Sequence, residues 1–181
     1  SRTAGVERKG LHAANRALER NPAYSRIPMP ADMRELIGRY EYGLKVRLYE
    51  IVNDIVGQKR LAANPRPRYV YDVDQVRVLA PVMPRKILNA AVNFYSHVNE
   101  GGTPEEQKKA AEARRAKRGV PYLFLKPTEG AIIGTGDNVV LPYGRDRIDW
   151  EVELGIVIGR AAKYVPATRA QNYIFGYMVT I

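Results

Sequence analysis

The run Asp149-Trp150-Glu151-Val152-Glu153-Leu154-Gly155-Ile156-Val157-Ile158-Gly159-Arg160 constrains this chain more than any other stretch. Its β-branched and apolar residues favour an extended strand, and a strand alternates its side chains with period two. Glu151 and Glu153 then share one face, opposite Trp150, Val152 and Leu154. Two like charges side by side on a half-buried strand repel each other, and a hard divalent cation such as Mg²⁺ or Mn²⁺ held between them removes the repulsion. A strand with one solvated face shows the same alternation with no ligand. The spacing leaves both readings open.

The 181 residues allow one domain with a sizeable core, or a small domain plus an arm. At 45% hydrophobic and 27% charged residues the composition is that of a folded soluble protein, and no apolar run reaches the ~20 residues of a membrane span. The absence of cysteine excludes disulfides, thiolate metal sites and a cysteine nucleophile. A cytoplasmic location is expected; because the chain opens on Ser1, export after removal of a signal is the alternative. The net charge of +10 is spread along the sequence, with no zinc-finger spacing, RNA-binding aromatic signature or heptad-linked basic region. It is read as a field that concentrates small organic di-acids rather than as a nucleic-acid surface.

Residues 1–84 are expected to form an N-terminal arm, a long amphipathic helix and short strands, with the main boundary at Arg85. A short helix covers about Glu7 to Arg20, with His12 solvated and without a further role, and a Pro-rich extended arm follows. Met33, Leu36, Ile37, Tyr40, Leu44, Leu48, Ile51, Val52 and Ile55 draw one apolar stripe along the long helix. Asp32 with Glu35 caps it, and Gly43 marks a bend. Tyr69–Tyr71 and Val76–Leu79 read as short strands.

Beyond the boundary, Arg85–Val92 reads as a buried strand that leads to His97 and Glu100. Three residues apart, these become neighbours on one helical turn, where a carboxylate orients an imidazole for general-base work; a polar loop with an incidental histidine is the competing reading. Gly101-Gly102 supplies a hinge, and Thr103-Pro104-Glu105-Glu106 starts a helix that ends at Gly119. Its only apolar residues are alanines, which makes it a surface helix or a flap. Pro121–Pro127 is a short strand that places Lys126 before a proline, and 132–142 reads as strand, glycine turn, strand. The turn lacks the Gly-x-Gly-x-x-Gly spacing, so it is not assigned to a dinucleotide phosphate. After a turn at Ala161–Tyr164 and a helical piece near Thr168–Tyr173, a last apolar strand halts in mid-pattern at Ile181, as a fragment of a longer polypeptide would.

In this order the segments resemble the fumarylacetoacetate hydrolase superfamily. The resemblance rests on Lys86-Ile87 with Asn93-Phe94-Tyr95, His97 with Glu100, Phe124-Leu125-Lys126-Pro127, Gly136-Asp137-Asn138 to Pro142, Asp149 to Gly159, and Gly176-Tyr177. It covers 85–181 and leaves the long helix unexplained. It implies an α+β chain: a mixed β-roll or sandwich-like catalytic domain, its remainder absent, behind a helical N-terminal portion. It implies a homodimer that binds Mg²⁺ (or Mn²⁺ or Ca²⁺) through three carboxylates, with Glu151 and Glu153 as two of them and the third beyond Ile181. His97 with Glu100 matches a proton-transfer dyad on a lid, and Lys126 joins them as a catalytic residue. The implied substrate is a small 2-oxo or 1,3-diketo acid and the leading reaction C–C bond hydrolysis. Decarboxylation, tautomerisation or hydration on the same site, and a non-catalytic scaffold, are the alternatives. The sequence departs from the family at Ala91-Val92, where a glycine is common, and in the helix from Pro104 to Arg118, which enlarges the lid region.

Overall fold

A computed structural model describes residues 2–94, 97, 101–117, 119 and 121–181, with side chains from residue 10 onward. The architecture is α+β, in two compact units: Ser1–Met83 with Ile133–Ile181, and Pro84–Ile132.

The first unit is built on three helices, α1 (Arg2–Leu18), α2 (Met33–Arg39) and α3 (Lys45–Gly57). Leu11, Ala14 and Leu18 lie three and four residues apart, so α1 turns one apolar stripe inward. That stripe meets Met29, Leu44 and Ile51, with Tyr24, Ile27, Leu36, Leu48, Ile55 and Tyr69 packed around them. Asp32 caps α2 by accepting from the Glu35 amide at 2.8 Å, while Glu35 reaches back to the Ala31 amide at 2.7 Å. The long helix expected from the stripe is interrupted. A π-type turn, Tyr40–Leu44, separates α2 from α3, with Gly43 at φ 93 where an L side chain is strained.

A cation sits inside this helical core. Arg47, 2% exposed, donates from Nη1 to Asn15 Oδ1 at 2.8 Å and to Glu19 Oε1 at 3.1 Å, from Nε to Glu50 Oε2 at 2.8 Å, and from Nη2 to the Ser25 carbonyl at 2.5 Å. Glu19 Oε1 also accepts from the Ile27 amide at 2.6 Å, and Asn15 donates to the Ile27 carbonyl at 2.9 Å. One guanidinium thereby ties α1, α3 and the proline-rich arm together, with its donors paired as burial requires. His12 departs from the solvated role expected of it: its Nε2 is buried with no hydrogen-bond partner among the described residues.

Tyr69–Tyr71 and Val76–Leu79 form no ladder; a 3₁₀ turn, Val73–Gln75, lies between them. The strands expected within 132–142 are likewise not formed. Instead the two segments meet backbone to backbone. A Cβ at Gly134 would lie 2.8 Å from the Val78 carbonyl oxygen, and Arg77 is ion-paired with Asp137. Asp137 also accepts from the Gly134 amide at 2.9 Å. That amide first, and Arg77 next, hold its carboxyl below the usual aspartate range.

The second unit contains β1 (Ile87–Ala90), α4 (Pro104–Ala116) and β2 (Leu123–Lys126). β1 and β2 pair antiparallel, from Ile87 opposite Lys126 to Ala90 opposite Leu123. β1 is shorter than the strand expected over 85–92, and it is half-exposed rather than buried. α4 is the surface helix its alanines imply, with no buried residue. In the first unit, β3 (Glu153–Ile158) and β4 (Ile174–Thr180) form a second antiparallel ladder, joined through a 3₁₀ turn at Ala167–Tyr173. Among the described residues each sheet has two strands. No helix of the described residues is long and apolar enough to cross a membrane.

Candidate active site

The carboxylate strand is shorter than its sequence pattern. β3 begins at Glu153, so Glu151 lies in the irregular segment before it, and both side chains are exposed. Glu153 stands opposite Thr180, Gly155 opposite Met178 and Val157 opposite Gly176, and these pairs share one face. The other face carries Leu154 opposite Val179 and Ile156 opposite Tyr177. The sequence places Trp150, Val152 and Leu154 on a covered face; here they are 73%, 67% and 56% exposed. Burial therefore does not force a counter-ion onto Glu151 and Glu153.

Gly155 has a role the sequence pattern does not announce. A Cβ there would lie 2.7 Å from Met178 Cγ and 3.2 Å from Thr180 Cγ2. The bare α-carbon lets the Met178 side chain fold across β3 beside Glu153. An isolated glycine inside an apolar strand is the available signal for such a close approach.

β1 leads toward His97. Its ladder is extended by the Ala91 amide, which donates to the Tyr122 carbonyl at 3.0 Å. The next residue, Val92, has φ 48. Left-handed backbone costs an L-residue about 1–2 kcal/mol, and a β-branched one is an outlier there. The guanidinium of Arg114, on α4, donates to the Val92 carbonyl. His97 lies in a helical turn with its side chain exposed. Glu100, its expected partner, falls outside the described residues.

The segment then passes through Gly101 and Gly102, at φ 84 and 76, into the cap of α4. The Glu106 amide donates to Thr103 Oγ1 at 3.4 Å, and the Thr103 amide donates to Glu106 Oε2 at 2.7 Å. The Thr103 amide is the main reason the Glu106 carboxyl lies below the usual glutamate range, and the Thr103 hydroxyl adds to it. Lys126 stands opposite Ile87, at the end of the ladder away from the chain's exit toward His97. Three residues of strand, ~10 Å, separate its backbone from that exit. The Lys126 side chain is exposed.

Among the described residues no group of three or more His, Asp or Glu side chains is placed to hold a metal ion. Glu151 and Glu153 are all-oxygen donors, the type that suits Mg²⁺ or Mn²⁺, and they supply two of the carboxylates such a site requires.

Comparison with known proteins decides which lineage carries this arrangement. The family model described as fumarylacetoacetate (FAA) hydrolase C-terminal matches residues 86–181, more than half of the chain. The chain belongs to the fumarylacetoacetate hydrolase family. Among curated family relatives, an uncharacterized protein of Pyrococcus horikoshii is 39% identical over 102 residues, 55% of this chain and 38% of its own length. A mitochondrial oxaloacetate tautomerase of Bos taurus is 35% identical over 106 residues, covering 58% of this chain and 30% of the relative. A fumarylacetoacetate hydrolase domain-containing protein 2 homolog of Dictyostelium discoideum is 28% identical over 151 residues, 83% of this chain and 42% of the relative. The match thus spans less than half the length of each of these relatives. No solved structure matches the chain. Members of the fumarylacetoacetate hydrolase family are typically enzymes, commonly dependent on a divalent metal.

Proposed function

We propose that this protein is a divalent-metal-dependent enzyme acting on a small 2-oxo or 1,3-diketo acid. The observation that carries the reading is the family match over 86–181, a span that contains Glu151 just before β3, Glu153 at its start, Lys126 at the end of β2, and His97. Glu151 and Glu153 would hold the cation, with a third carboxylate from outside this sequence. When bound, the cation supplies Lewis-acid polarisation of the 2-oxo group. His97 takes the proton from the carbon beside that group and returns one to oxygen, which balances a keto–enol conversion with no further reactant. Glu100 orients the His97 imidazole. Lys126 pairs with a substrate carboxylate. The expected β-roll and homodimer form the scaffold of this proposal.

The oxaloacetate tautomerase among its relatives favours keto–enol conversion of an oxaloacetate-like acid as the first activity to test. C–C hydrolysis of an acylpyruvate, the leading reaction that the family resemblance implies, is the second reading. The experiment follows loss of enol absorbance for oxaloacetate and cleavage of acylpyruvates, each with and without Mg²⁺, beside calorimetric titration of Mn²⁺. Glu151→Ala is expected to abolish both cation binding and turnover, and His97→Ala to abolish turnover while cation binding persists. Undiminished turnover in Glu151→Ala would end the metal role.

A further inference from the structure

We infer that Arg114 is a positioning residue: by donating to the Val92 carbonyl it holds a valine in left-handed backbone, and so sets the path by which the chain leaves β1 toward His97. Three observations within the second unit carry this. The backbone before Val92 is pinned, because the Ala91 amide completes the ladder to the Tyr122 carbonyl at 3.0 Å. Val92 itself has φ 48, a conformation that a β-branched residue keeps only when its surroundings hold it. The Arg114 guanidinium reaches that residue's carbonyl from 22 positions away.

Arg114 is in turn fixed by its helix. α4 starts from the reciprocal cap of Thr103 and Glu106, and Gln107 Nε2 ties its first turn to the Gly101 carbonyl at 3.1 Å. Val92 and Gly101, which precede and follow His97 in the sequence, are therefore both tied to α4. A charged donor suits the clamp at Val92, since such hydrogen bonds are roughly twice as strong as neutral ones. Glycine at position 92 would adopt the same φ unaided. The chain uses valine plus an arginine instead. The functional consequence rests on the reading of His97 as the proton-transfer group; the clamp itself does not.

The 181 residues carry two histidines, His12 and His97, and their ring signals in imidazole NMR of the protein are assigned with His12→Gln and His97→Gln variants. Arg114→Met is expected to move and broaden the His97 signal while that of His12 stays in place. Turnover should fall about threefold to tenfold in kcat, in proportion to the displaced population. Adding Val92→Gly to Arg114→Met should restore the His97 signal, and Arg114→Lys should hold it in part. Arg114 is exposed, so the variants fold, as circular dichroism checks. A His97 signal unchanged in Arg114→Met, or unrestored in the double variant, overturns the clamp. A signal that moves and is rescued while kcat stays constant supports the clamp and overturns the catalytic reading of His97.

Discussion

Replacing Arg47 with methionine tests whether the helical core depends on its buried cation. Methionine keeps the length and the apolar stem of the side chain but strands four acceptors: Asn15 Oδ1, Glu19 Oε1, Glu50 Oε2 and the Ser25 carbonyl. Removing one partner of a buried ion pair costs about 3–5 kcal/mol. The local geometry argues for the lower end. The Glu50 side chain is 33% exposed and can rehydrate, whereas Glu19, 14% exposed, keeps the Ile27 amide at 2.6 Å. The expected loss is about 3 kcal/mol in urea unfolding of the protein, with the m-value unchanged.

The sign of the pH dependence follows from Glu19. Its carboxyl lies below the ordinary value of 4.5, chiefly because the Ile27 amide donates to it; burial opposes this shift, and Asn15 and Arg47 add to it. A depressed carboxylate contributes stability that is present above its unfolded pKa and lost as pH falls through its folded pKa. The wild-type protein should therefore lose stability below about pH 4.5, and the Arg47→Met penalty should shrink there, because a protonated Glu19 no longer needs the cation. Glu19→Gln in the Arg47→Met background should recover part of the loss at neutral pH. A penalty under about 1 kcal/mol, or one that grows on acidification, would refute the argument.

Gly155→Val places a branched side chain against Met178, and should destabilise the β3–β4 ladder by about 1–3 kcal/mol, read by amide exchange along β4; Met178→Ala in the same chain should relieve it. Thr103→Ala removes the cap of α4 and should cost that helix about 1 kcal/mol, seen as faster exchange in its first turn. The same turn should loosen as pH falls below the ordinary glutamate value of 4.5, since the depressed Glu106 carboxyl serves the cap only while ionised. A Glu106→Gln variant, whose side chain accepts without titrating, should lose that pH dependence.

What the sequence made legible was local. Thr103, Pro104 and Glu106 announce the start of α4 because a cap needs residues within one turn of each other, and that is where the helix begins. Asp32 and Glu35 act alike for α2, and Gly43 marks the interruption the stripe alone would hide. The strands expected at Tyr69–Tyr71, Val76–Leu79 and 132–142 failed for a stated reason. β-branched residues favour extended backbone, but a strand also needs a partner in register, and Gly134 packs against Val78–Ala80 without forming a ladder. At the candidate site, period two places Glu151 and Glu153 together, whereas pairing starts only at Glu153. Arg114 and Val92, 22 residues apart, carry no local pattern that joins them. The inward ring nitrogen of His12 was equally hidden, because its neighbours in sequence are not its neighbours in space.

The division of the first unit has a consequence in time. Residues 84–132 lie between its two parts, so a ribosome that adds about 5–20 residues per second completes the second part several seconds after the first. The helices around Arg47 have all their core partners within residues 11–69 and can close during that interval. Tyr40 cannot meet its partner until that second part is made. Its ring packs edge-on against Phe175, centroids 5.0 Å apart, and Phe175 lies in the second part. The nascent helical core thus waits with an aromatic ring ready, and the carboxylate-bearing ladder docks onto a surface that is already folded.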